Sequence, residues 1–539
     1  MSRMAVALCA LIVVPASSRS AQEPTRPSGG EWRNAVCYEV FVRSFYDSDG
    51  DGIGDLRGLI EKLDHINDGD PDTQRDLGAN CIWLMPIAQS SSYHGYDVTN
   101  YYHVDRDYGT TEDFRRLIAE AHRRGIRVLV DLVLNHASAE HPYFRSALFD
   151  PASPYREWFI WSPTQREVEG WRPVWHRAPT REEYYYGFFW HGMPDLNLGQ
   201  PAVRAETKRI ARFWLTEMGV DGFRLDAVAH FFEAGDTLMH ASANHPWLRD
   251  YADYLRRIAP DAFHVGEVWG NIATMRAYYP DQLDAYFIFE VADSLIAAAR
   301  SGSKRPVVSA VQRAQRDLPP GRWASLLRNH DQTRTMTELG GDVARARTAA
   351  TLLLTLPGVP FVYYGEEIGM TGEKPDPRLR TPMHWVREPA AGFTRGMPWE
   401  PLQPDSFTAN VEAQNTDSTS LLNHYRRLIH MRVAHPELGA SGEFVPLGTG
   451  EDAALAYLRQ EDGRAALVVA NLGDRSLSGV ALSSTGPVLS PGRYVARPLL
   501  GSVQQTEVRV TRDGRIHRWI PIPHLAPFEV HVLELSRRD

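Results

Sequence analysis

The segment RVLVDLVLNH (Arg127–His136) decides the fold of this chain. It is a short apolar run that ends in polar residues, which is typical of a buried parallel strand with a functional carboxyl end. The preceding stretch, TEDFRRLIAEAHRRG, starts at Thr111 with acidic residues and ends at Gly125, so both ends of a helix are marked. A helix placed directly before such a strand predicts repeated βα units.

Seven other apolar segments have a similar length and composition. They are AVCYEVFVRSF (from Ala35), CIWLMP (from Cys81), GFRLD (from Gly222), FHVGE (from Phe263), DAYFIFE (from Asp284), WASLLRN (from Trp323) and VPFVYYGE (from Val359). Together with the segment from Arg127 they make eight strands separated by helical patterns. The sequence therefore predicts an α/β fold, a (β/α)8 TIM barrel formed by residues 32–136 and 201–438.

Two further regions depart from a minimal barrel. The long stretch after the third strand is rich in Pro, Trp and Tyr and contains one evident helix, near Val203 to Met218, so residues 137–200 are predicted to form an inserted small domain. From about Ser441 the pattern alternates apolar and polar residues between Gly, Asp and Ser turns. This alternation predicts a C-terminal antiparallel β-sandwich over residues 439–539.

The N-terminal segment MSRMAVALCALIVVPASSRSAQ has a basic start, an apolar run from Met4 to Pro15 and small residues after it. The run is shorter than the ~20 residues that cross a bilayer. We therefore expect a signal peptide at residues 1–20 and a secreted or periplasmic protein. A cytoplasmic protein with an apolar extension is the alternative, and no membrane span is expected elsewhere.

The composition is that of a soluble globular protein, with 43% hydrophobic and 23% charged residues. The formal net charge of -9 leaves no basic footprint, so nucleic acid is not expected as a partner. Cys37 and Cys81 fall in strand-like runs, where buried free thiols are the default expectation and a disulfide between them stays open. No Cys/His spacing indicates zinc.

Polar residues collect where the predicted strands end. These residues are Asp131, Asn135, His136, Arg224, Asp226, Glu267, Asn329, His330 and Asp331. The carboxyl ends of barrel strands meet at one mouth, so four strands deliver these groups to one place. Any one of them could be a structural cap or ion pair, but together they indicate a catalytic site.

Glycoside hydrolysis with retention needs this set of groups, because it uses one carboxylate as nucleophile and a second carboxyl group as proton donor. Asp226 is the candidate nucleophile, and Arg224, on the same side of the strand, can keep it ionised. Glu267 is the candidate acid, with a pKa raised by burial and nearby carboxylates. Asp331 can stabilise a cationic transition state. Histidines such as His136 and His330 are expected to be neutral and to hydrogen-bond sugar hydroxyls.

Several motifs resemble those of the α-amylase family, glycoside hydrolase family 13, and of its group intermediate between oligo-1,6-glucosidases and neopullulanases. They are DLVLNH (Asp131–His136), GFRLDAVAH (Gly222–His230), GEVW (Gly266–Trp269), RNHD (Arg328–Asp331), MPDLN (Met193–Asn197) and HGYDVTNYY (His94–Tyr102). The resemblance implies that Asp226 is the nucleophile, Glu267 the acid/base and Asp331 the stabiliser. It also implies that Tyr96, His136, Arg224 and His330 surround the sugar that carries the scissile bond.

The loop DSDGDGIGD after the first strand suggests a metal site. It carries four carboxylates on a glycine-rich turn, at Asp47, Asp49, Asp51 and Asp55. Ca²⁺ takes about six to eight oxygen ligands, and the resemblance to oligo-1,6-glucosidases implies one structural Ca²⁺ with a backbone carbonyl at Ile53. A solvated acidic turn is the alternative. A second calcium site of the amylase type would use Asn135.

Substrate preference is the least specified property. Ala227 after the candidate nucleophile resembles α-1,4-active enzymes, whereas Ala229 replaces the lysine of many α-amylases, and His230 and Trp269 are expected on the leaving-group side. The first expectation is a monomeric α-amylase acting on starch and maltooligosaccharides. The alternatives are an exo-acting α-glucosidase or oligo-1,6-glucosidase, a glucan transferase or trehalose synthase, and, from another class, a non-catalytic sugar-binding relative.

Overall fold

The computed structural model describes residues 29–538, so the predicted signal peptide lies outside the described residues. At its centre is a closed barrel of eight parallel strands arranged in chain order. The strands are β1 Cys37–Val40, β2 Cys81–Leu84, β3 Arg127–Leu132, β4 Gly222–Leu225, β5 Phe263–Gly266, β6 Ala285–Phe287, β7 Trp323–Leu326 and β8 Val359–Tyr363. Every barrel strand is buried along its whole length, because helices cover the outside and side chains fill the inside. The predicted fold class is confirmed.

Helices surround the barrel. The longer ones are Thr111–Arg123, Pro201–Arg212, Asn244–Ile258, Phe289–Ser301, Arg305–Asp317, Val343–Thr355 and Leu421–Ala434. In Thr111–Arg123 the preceding Thr110 and Asp113 form a reciprocal capping box, and the buried face repeats at helical spacing through Phe114, Leu117 and Ala121. No helix of the described residues is long and apolar enough to cross a membrane.

Two of the predicted strands are shorter in the structure, because a short apolar run fits a buried helical turn as well as a strand. The first predicted strand continues past Val40 as a buried helical turn, Val42–Phe45. The sixth predicted strand ends at Phe287, and the residues after it form the helix Phe289–Ser301. The helix predicted from Val203 to Met218 begins at Pro201, and its last turn, Phe213–Glu217, is a π-helix.

The segment between β3 and the helix Pro201–Arg212 contains a further helix, Pro142–Phe149, which was not predicted from the sequence. A three-stranded antiparallel sheet follows it, with Tyr184–Tyr186 between Trp161–Ser162 and Trp175–Arg177. Its aromatic residues pack mainly on one another, and the rings of Trp175 and Tyr186, for example, lie 5.3 Å apart.

The C-terminal region forms a six-stranded antiparallel sheet and a two-stranded ribbon. In spatial order the sheet contains Glu443–Leu447, Ala454–Glu461, Arg464–Asn471, Val530–Arg538, Gly492–Leu500 and Thr506–Val510, and the ribbon pairs Leu477–Ser478 with His524–Leu525. Residues alternate between two cores, so that Leu458 packs toward the ribbon while Tyr457 packs toward the barrel. The Tyr457 hydroxyl lies 2.6 Å from Thr355 Oγ1, at the end of the helix Val343–Thr355.

Two buried arginine side chains that form no salt bridge with any described residue lie near this contact between the C-terminal sheet and the barrel. Arg459 is fully buried and donates to the backbone carbonyls of Thr355, Leu438, Gly439 and Gly442. Arg432 is also fully buried and donates to the carbonyls of Leu354, Leu356 and Gly358. Burial lowers the pKa of Arg459 to about 10. Through Arg459 the C-terminal sheet therefore completes hydrogen bonds that the barrel cannot make alone, whereas Arg432, on the helix Leu421–Ala434, completes them within the barrel.

Cys37 and Cys81 form a disulfide that joins β1 to β2. The two residues are direct partners in the register of these strands, with Cα atoms 4.3 Å apart. The default expectation of two buried free thiols is therefore wrong. Sequence alone does not reveal this register, because each cysteine lies in an apolar strand that could face either side.

Replacing both Cys37 and Cys81 with serine is expected to lower the free energy of unfolding by about 2–4 kcal/mol, because the bridge closes a loop of 44 residues in the unfolded chain. The measurement is equilibrium unfolding in urea with and without reductant. Reductant should lower the midpoint of the wild-type protein and leave the double variant unchanged. Equal sensitivity to reductant in both proteins would contradict the bridge.

Candidate active site

One arginine organises the mouth of the barrel. Arg224, at the end of β4, is 1% exposed. Its Nη1 donates to Asp131 at 2.8 and 2.9 Å and to Asp226 at 2.6 Å, while Nη2 lies 2.9 Å from Glu267 Oε2. These carboxylates come from three neighbouring strands, and the register pairs Asp131 directly with Arg224. Because parallel strands end at one level, groups that are distant in sequence surround one cation.

Glu267 is held by three donors. Its Oε2 accepts the backbone N–H of Ala227 at 3.1 Å in addition to Arg224, and its Oε1 accepts Trp269 Nε1–H at 3.0 Å. Ala227 has φ 50°, in the left-handed region that non-glycine residues rarely adopt, so the turn after Asp226 is strained at the site. The indole of Trp269 stacks on Phe289 with ring centroids 3.8 Å apart. Oε1 is therefore the oxygen on which a transferable proton can reside.

Burial shifts the pKa values of these carboxyl groups upward. It raises the pKa of Asp131 to about 7, against the attraction of Arg224. Burial also raises the pKa of Asp226, where Arg224 again opposes it. The pKa of Glu267 is raised by burial and by the negative charges of Asp226 and Asp331, with Arg224 opposing. The site can therefore hold a proton on one carboxyl group while another stays ionised.

Asp331, after β7, has the opposite electrostatics. Its Oδ2 lies 3.2 Å from His330 Nε2, and its Oδ1 accepts Arg380 Nη2–H at 2.7 Å. Burial alone would raise the pKa of Asp331, but the positive charges of His330 and Arg380 outweigh it and hold that pKa far below the ordinary value. Asp331 is therefore a permanent negative charge facing the cavity.

Glu39 and Arg380 belong to this site but were not predicted from the sequence. Glu39, in β1, is 1% exposed and places Oε1 2.5 Å from His330 Nδ1. Burial alone lowers the pKa of His330, but Asp331 and Glu39 raise it to about 9, so the expectation of a neutral His330 is wrong. The sequence does contain a sign of Glu39, since it is an acidic residue inside an apolar strand. A buried carboxylate requires a partner, so such a residue indicates a nearby cation or donor. Arg380 lies on a loop after β8, where no strand pattern marks it.

The other predicted substrate-binding residues lie at the same mouth. The Tyr96 hydroxyl lies 3.0 Å from Asp131 Oδ2 and 2.7 Å from His330 Nε2. His136 Nε2 donates to the carbonyl of Tyr96 at 3.1 Å, and His230 Nδ1 donates to the carbonyl of Leu238 at 3.1 Å. Burial lowers the pKa of His136 to about 4 and likewise that of His230 to about 4, so both imidazoles are neutral as expected.

Of the predicted site residues, six line one cavity of about 320 Å³, whereas Arg224 and His330 do not line it. The six are Tyr96, His136, Asp226, His230, Glu267 and Asp331, and aromatic side chains from the inserted segment and from the loop after β5 complete the lining. The lining residues are His94, Tyr96, His136, Arg172, Phe189, Trp190, Met193, Asp226, Ala227, Ala229, His230, Glu267, Trp269, Asp331, Asp376 and Arg380. Of the run YYYGFFW, Tyr185 and Tyr186 are buried in packing, whereas Phe189 and Trp190 face the cavity. An amphipathic ring stacked on aromatic faces fits this lining.

The acidic loop after β1 brings three of its carboxylates together. One oxygen from each of Asp47, Asp49 and Asp55 lies within 4.8 Å of the others, and Asp51 is not part of this group. Asp51 instead accepts the backbone N–H of Ile53 at 2.8 Å. Gly52 is required here, since a Cβ atom would come within 2.0 Å of the Met397 carbonyl. The hard oxygen donors and their convergence fit a calcium ion.

Asn135, the residue expected at a second calcium site, makes a different contact. Its Nδ2 donates to Asp195 Oδ2 at 2.9 Å, and Asp195 Oδ1 accepts the N–H of Phe188 at 2.9 Å. Both residues are buried. The pair ties the end of β3 to the inserted segment, and within residues 29–538 the loop after β1 is the one group of acidic residues that could hold a metal ion.

Comparison with known proteins gives consistent matches. Residues 39–441 match the family described as the alpha amylase catalytic domain. Alpha-amylase 3 of Dictyoglomus thermophilum is 40% identical over 448 residues, covering 82% of this chain and 85% of that protein. A trehalose synthase/amylase of Mycobacterium tuberculosis is 34% identical over 516 residues, covering 83% of each chain. The crystal structure of an α-amylase from H. orenii has a TM-score of 0.82 and 39% identity, covering 94% of this chain and 100% of that one.

Replacing Arg224 with methionine is expected to destabilise the protein by about 3–5 kcal/mol, since it leaves buried carboxylates without their cation. The loss should be greater at about pH 8 than at about pH 5, because the uncompensated carboxyl groups are protonated at the lower pH. Urea unfolding at the two pH values measures the effect.

Arg249→Met is the matched control, because the ion pair of Arg249 with Asp281 is solvent-exposed. Its effect should stay below about 1 kcal/mol at both pH values. Losses of the same size in the two variants would show that Arg224 is not the central cation.

Proposed function

The chain belongs to the α-amylase family and is a glycoside hydrolase of that type, and from this premise we propose that it hydrolyses α-1,4-glucosidic bonds of starch and maltooligosaccharides with retention of configuration. The observation that carries the proposal is the contact of Arg224 with both Asp226 and Glu267 at one cavity. Retention requires two carboxyl groups close to one anomeric carbon. The Arg224 guanidinium contacts both Asp226 and Glu267 and so keeps the two carboxyl groups close. Glu267 also accepts from Ala227 and Trp269.

In the proposed mechanism Asp226 attacks the anomeric carbon and forms a covalent glycosyl-enzyme intermediate. The bond from Arg224 to Asp226 Oδ1 favours the ionised nucleophile and leaves its Oδ2 as the attacking atom. Glu267 protonates the leaving oxygen through Oε1 and then deprotonates the water that hydrolyses the intermediate. Its raised pKa suits the first step, and the loss of the acidic proton prepares it for the second.

Asp331 stabilises the positive charge that develops on the sugar ring. His330 and Arg380 contact one oxygen each of this carboxylate and hold it in a fixed orientation toward the cavity. Tyr96 and His136 complete the pocket for the same sugar, and Arg224 supports it through its contacts with Asp226 and Glu267 without lining the cavity. His230 and Trp269 lie beside Glu267 and contact the leaving group.

A second candidate is intramolecular transfer that converts maltose to trehalose. It is favoured by the 34% identity to a protein named trehalose synthase/amylase. Exo-acting hydrolysis, as in α-glucosidases and oligo-1,6-glucosidases, uses the same carboxylates and differs in which end of the glucan is bound. Chain length and product therefore separate the candidates.

Asp226→Asn is expected to reduce kcat on soluble starch by at least about 10³-fold without a change in melting temperature, because the amide is not a nucleophile. The matched control Asp293→Asn removes an exposed carboxylate that pairs with Arg328 and should keep full activity. Proton NMR of the wild-type reaction should detect the α-anomer first. Equal activity of Asp226→Asn and wild type, or early release of the β-anomer, would contradict the assignment.

Products from maltotetraose, isomaltose and maltose separate the candidates. The proposal expects maltose and maltotriose as early products, with little action on isomaltose. Glucose as the sole early product would indicate exo-action, and trehalose from maltose would indicate transfer.

We also propose that the acidic loop holds a structural Ca²⁺, with Asp47, Asp49 and Asp55 as carboxylate ligands, Asp51 as a further candidate and the Ile53 carbonyl completing the set by resemblance. The ion would supply charge compensation to a loop that packs against Gly396 and Thr394, and no catalytic step passes through it.

A chelator should therefore lower the melting temperature of the wild-type protein, and added Ca²⁺ should restore it. Asp49→Asn should already melt lower and should respond less to the chelator. Asp72→Asn, on another acidic loop that makes no such group, is the control and should respond like the wild type. A wild-type melting temperature that chelation does not change would contradict the site.

Export and oligomeric state complete the proposal. We propose that the chain is secreted or periplasmic after removal of residues 1–20 and acts as a monomer on its α-glucan. N-terminal sequencing of the exported protein and light scattering of the purified enzyme test these two statements.

A further inference from the structure

Glu39 is a charged residue in the most enclosed part of the barrel. Its neighbours in the strand register are Trp83 on β2 and Tyr363 on β8, and all three side chains are buried. Glu39 does not line the cavity. An acidic group at such a place is strongly unfavourable unless a cation faces it. That cation is His330, whose Nδ1 lies 2.5 Å from Glu39 Oε1.

His330 is in turn enclosed by charged and titratable groups. Glu39 from β1, Tyr96 after β2 and Asp331 after β7 contact its ring, and Arg380 Nε donates to its carbonyl. Asp131 and Arg224 contact Tyr96, and the charges of Asp131 and Asp226 also act on the ring. The ring stacks on Tyr96 at 5.6 Å and meets the edge of Trp83 at 5.6 Å. Two carboxylates, one at each nitrogen, therefore favour the imidazolium, in which both nitrogens donate.

A doubly protonated ring fixes the direction of the whole hydrogen-bond chain. Nδ1–H donates to Glu39, and Nε2–H is shared by Asp331 Oδ2 and the oxygen of Tyr96. Because the Tyr96 oxygen accepts from His330, its own proton points to Asp131 Oδ2, 3.0 Å away. With a neutral ring protonated at Nδ1, Nε2 would become an acceptor, Tyr96 would donate to it instead, and Asp331 would lose a donor.

We infer that Glu39 is a positioning residue that acts through His330: it keeps the imidazole doubly protonated, so that Asp331 keeps its second donor and Tyr96 stays oriented toward Asp131. The inference rests on the proposed role of Asp331 in stabilising the transition state. Glu39 itself touches neither substrate nor reacting atoms. It sets the protonation state of His330, which contacts Asp331 and Tyr96, two residues that line the cavity.

Glu39→Gln tests the inference with the least change of shape. The amide oxygen can still accept Nδ1–H, but the negative charge is gone. His330 then loses its proton at a lower pH, because burial and the remaining cations favour the neutral ring. Above that pH the variant should have a reversed Tyr96 hydrogen bond and an Asp331 with one donor fewer.

The kinetic experiment uses α-maltosyl fluoride and follows kcat/KM against pH. Fluoride departs with little help from an acid, so the alkaline limb is not governed by Glu267 alone. The wild-type value should hold to about pH 9, following His330. Glu39→Gln should match the wild type within about threefold near pH 5.5 and fall about tenfold or more below it near pH 8.

Two further variants separate this effect from general damage. Glu367→Gln also removes a buried carboxylate paired with a histidine, His65, but it lies away from the cavity, and its alkaline limb should coincide with that of the wild type. Glu39→Asp keeps the charge and should recover part of the shift. Melting temperatures of all variants near pH 6 show whether each one folds.

Stability gives a second readout that needs no catalysis. The raised pKa of His330 contributes stability that is fully present below about pH 6.5 and is lost as the pH rises through about 9. The difference in melting temperature between wild type and Glu39→Gln should therefore be largest near pH 6 and shrink toward pH 9. A difference that does not vary with pH contradicts the ion pair.

An alkaline limb of Glu39→Gln that coincides with the wild-type limb overturns the inference while the wild-type enzyme remains active. Failure of the proposed function looks different. In that case the wild type does not cleave α-maltosyl fluoride, or Asp226→Asn cleaves it equally well.

Discussion

The architecture of the mouth depends on one buried cation. Arg224 contacts a carboxylate from each of three neighbouring strands, and without it three buried carboxylates would lie together with no cation between them. Electrostatic attraction in such surroundings is strong, and so is the penalty for an unpaired charge. The guanidinium therefore does two things at once. It makes the burial of Asp131, Asp226 and Glu267 possible, and it fixes the distance at which two of them act.

A second set of charged groups lies in the other half of the mouth. Glu39, His330, Asp331 and Arg380 contact one another in this order, and their charges alternate in sign. Tyr96 joins the halves, because its hydroxyl contacts both His330 and Asp131. The proposed transition-state charge would thus meet groups whose orientation is already determined before substrate binds. The contrast between a raised pKa for Glu267 and a lowered pKa for Asp331 follows from this division, since burial and then nearby acids raise the pKa of Glu267, whereas His330 and Arg380 outweigh burial at Asp331.

The sequence predicted the barrel well because its signal is repeated eight times, and it predicted Arg224, Asp226 and Glu267 because each stands at the end of a strand. It failed where the deciding fact is a contact between distant segments. Cys37 and Cys81 meet only through the register of β1 and β2, and Glu39 meets His330 only across the closed barrel. Arg380 belongs to a loop without periodicity. The sequence predicted a neutral His330 because it does not show that the Glu39 carboxylate lies beside the ring.

The buried arginines beneath the C-terminal sheet bear on how this enzyme could be rearranged. Arg459 belongs to the sheet, yet the four carbonyls to which it donates lie at the end of the helix Val343–Thr355 and in the linker that precedes the sheet. Removing the C-terminal sheet would leave those carbonyls without their hydrogen-bond donor. It would also expose the apolar face of the sheet that contains Phe444, Tyr457 and Val468. The two parts are thus one thermodynamic unit despite their separate topologies. Swapping the sheet between homologous enzymes would succeed only if the arginine and the carbonyls it caps were exchanged as a set.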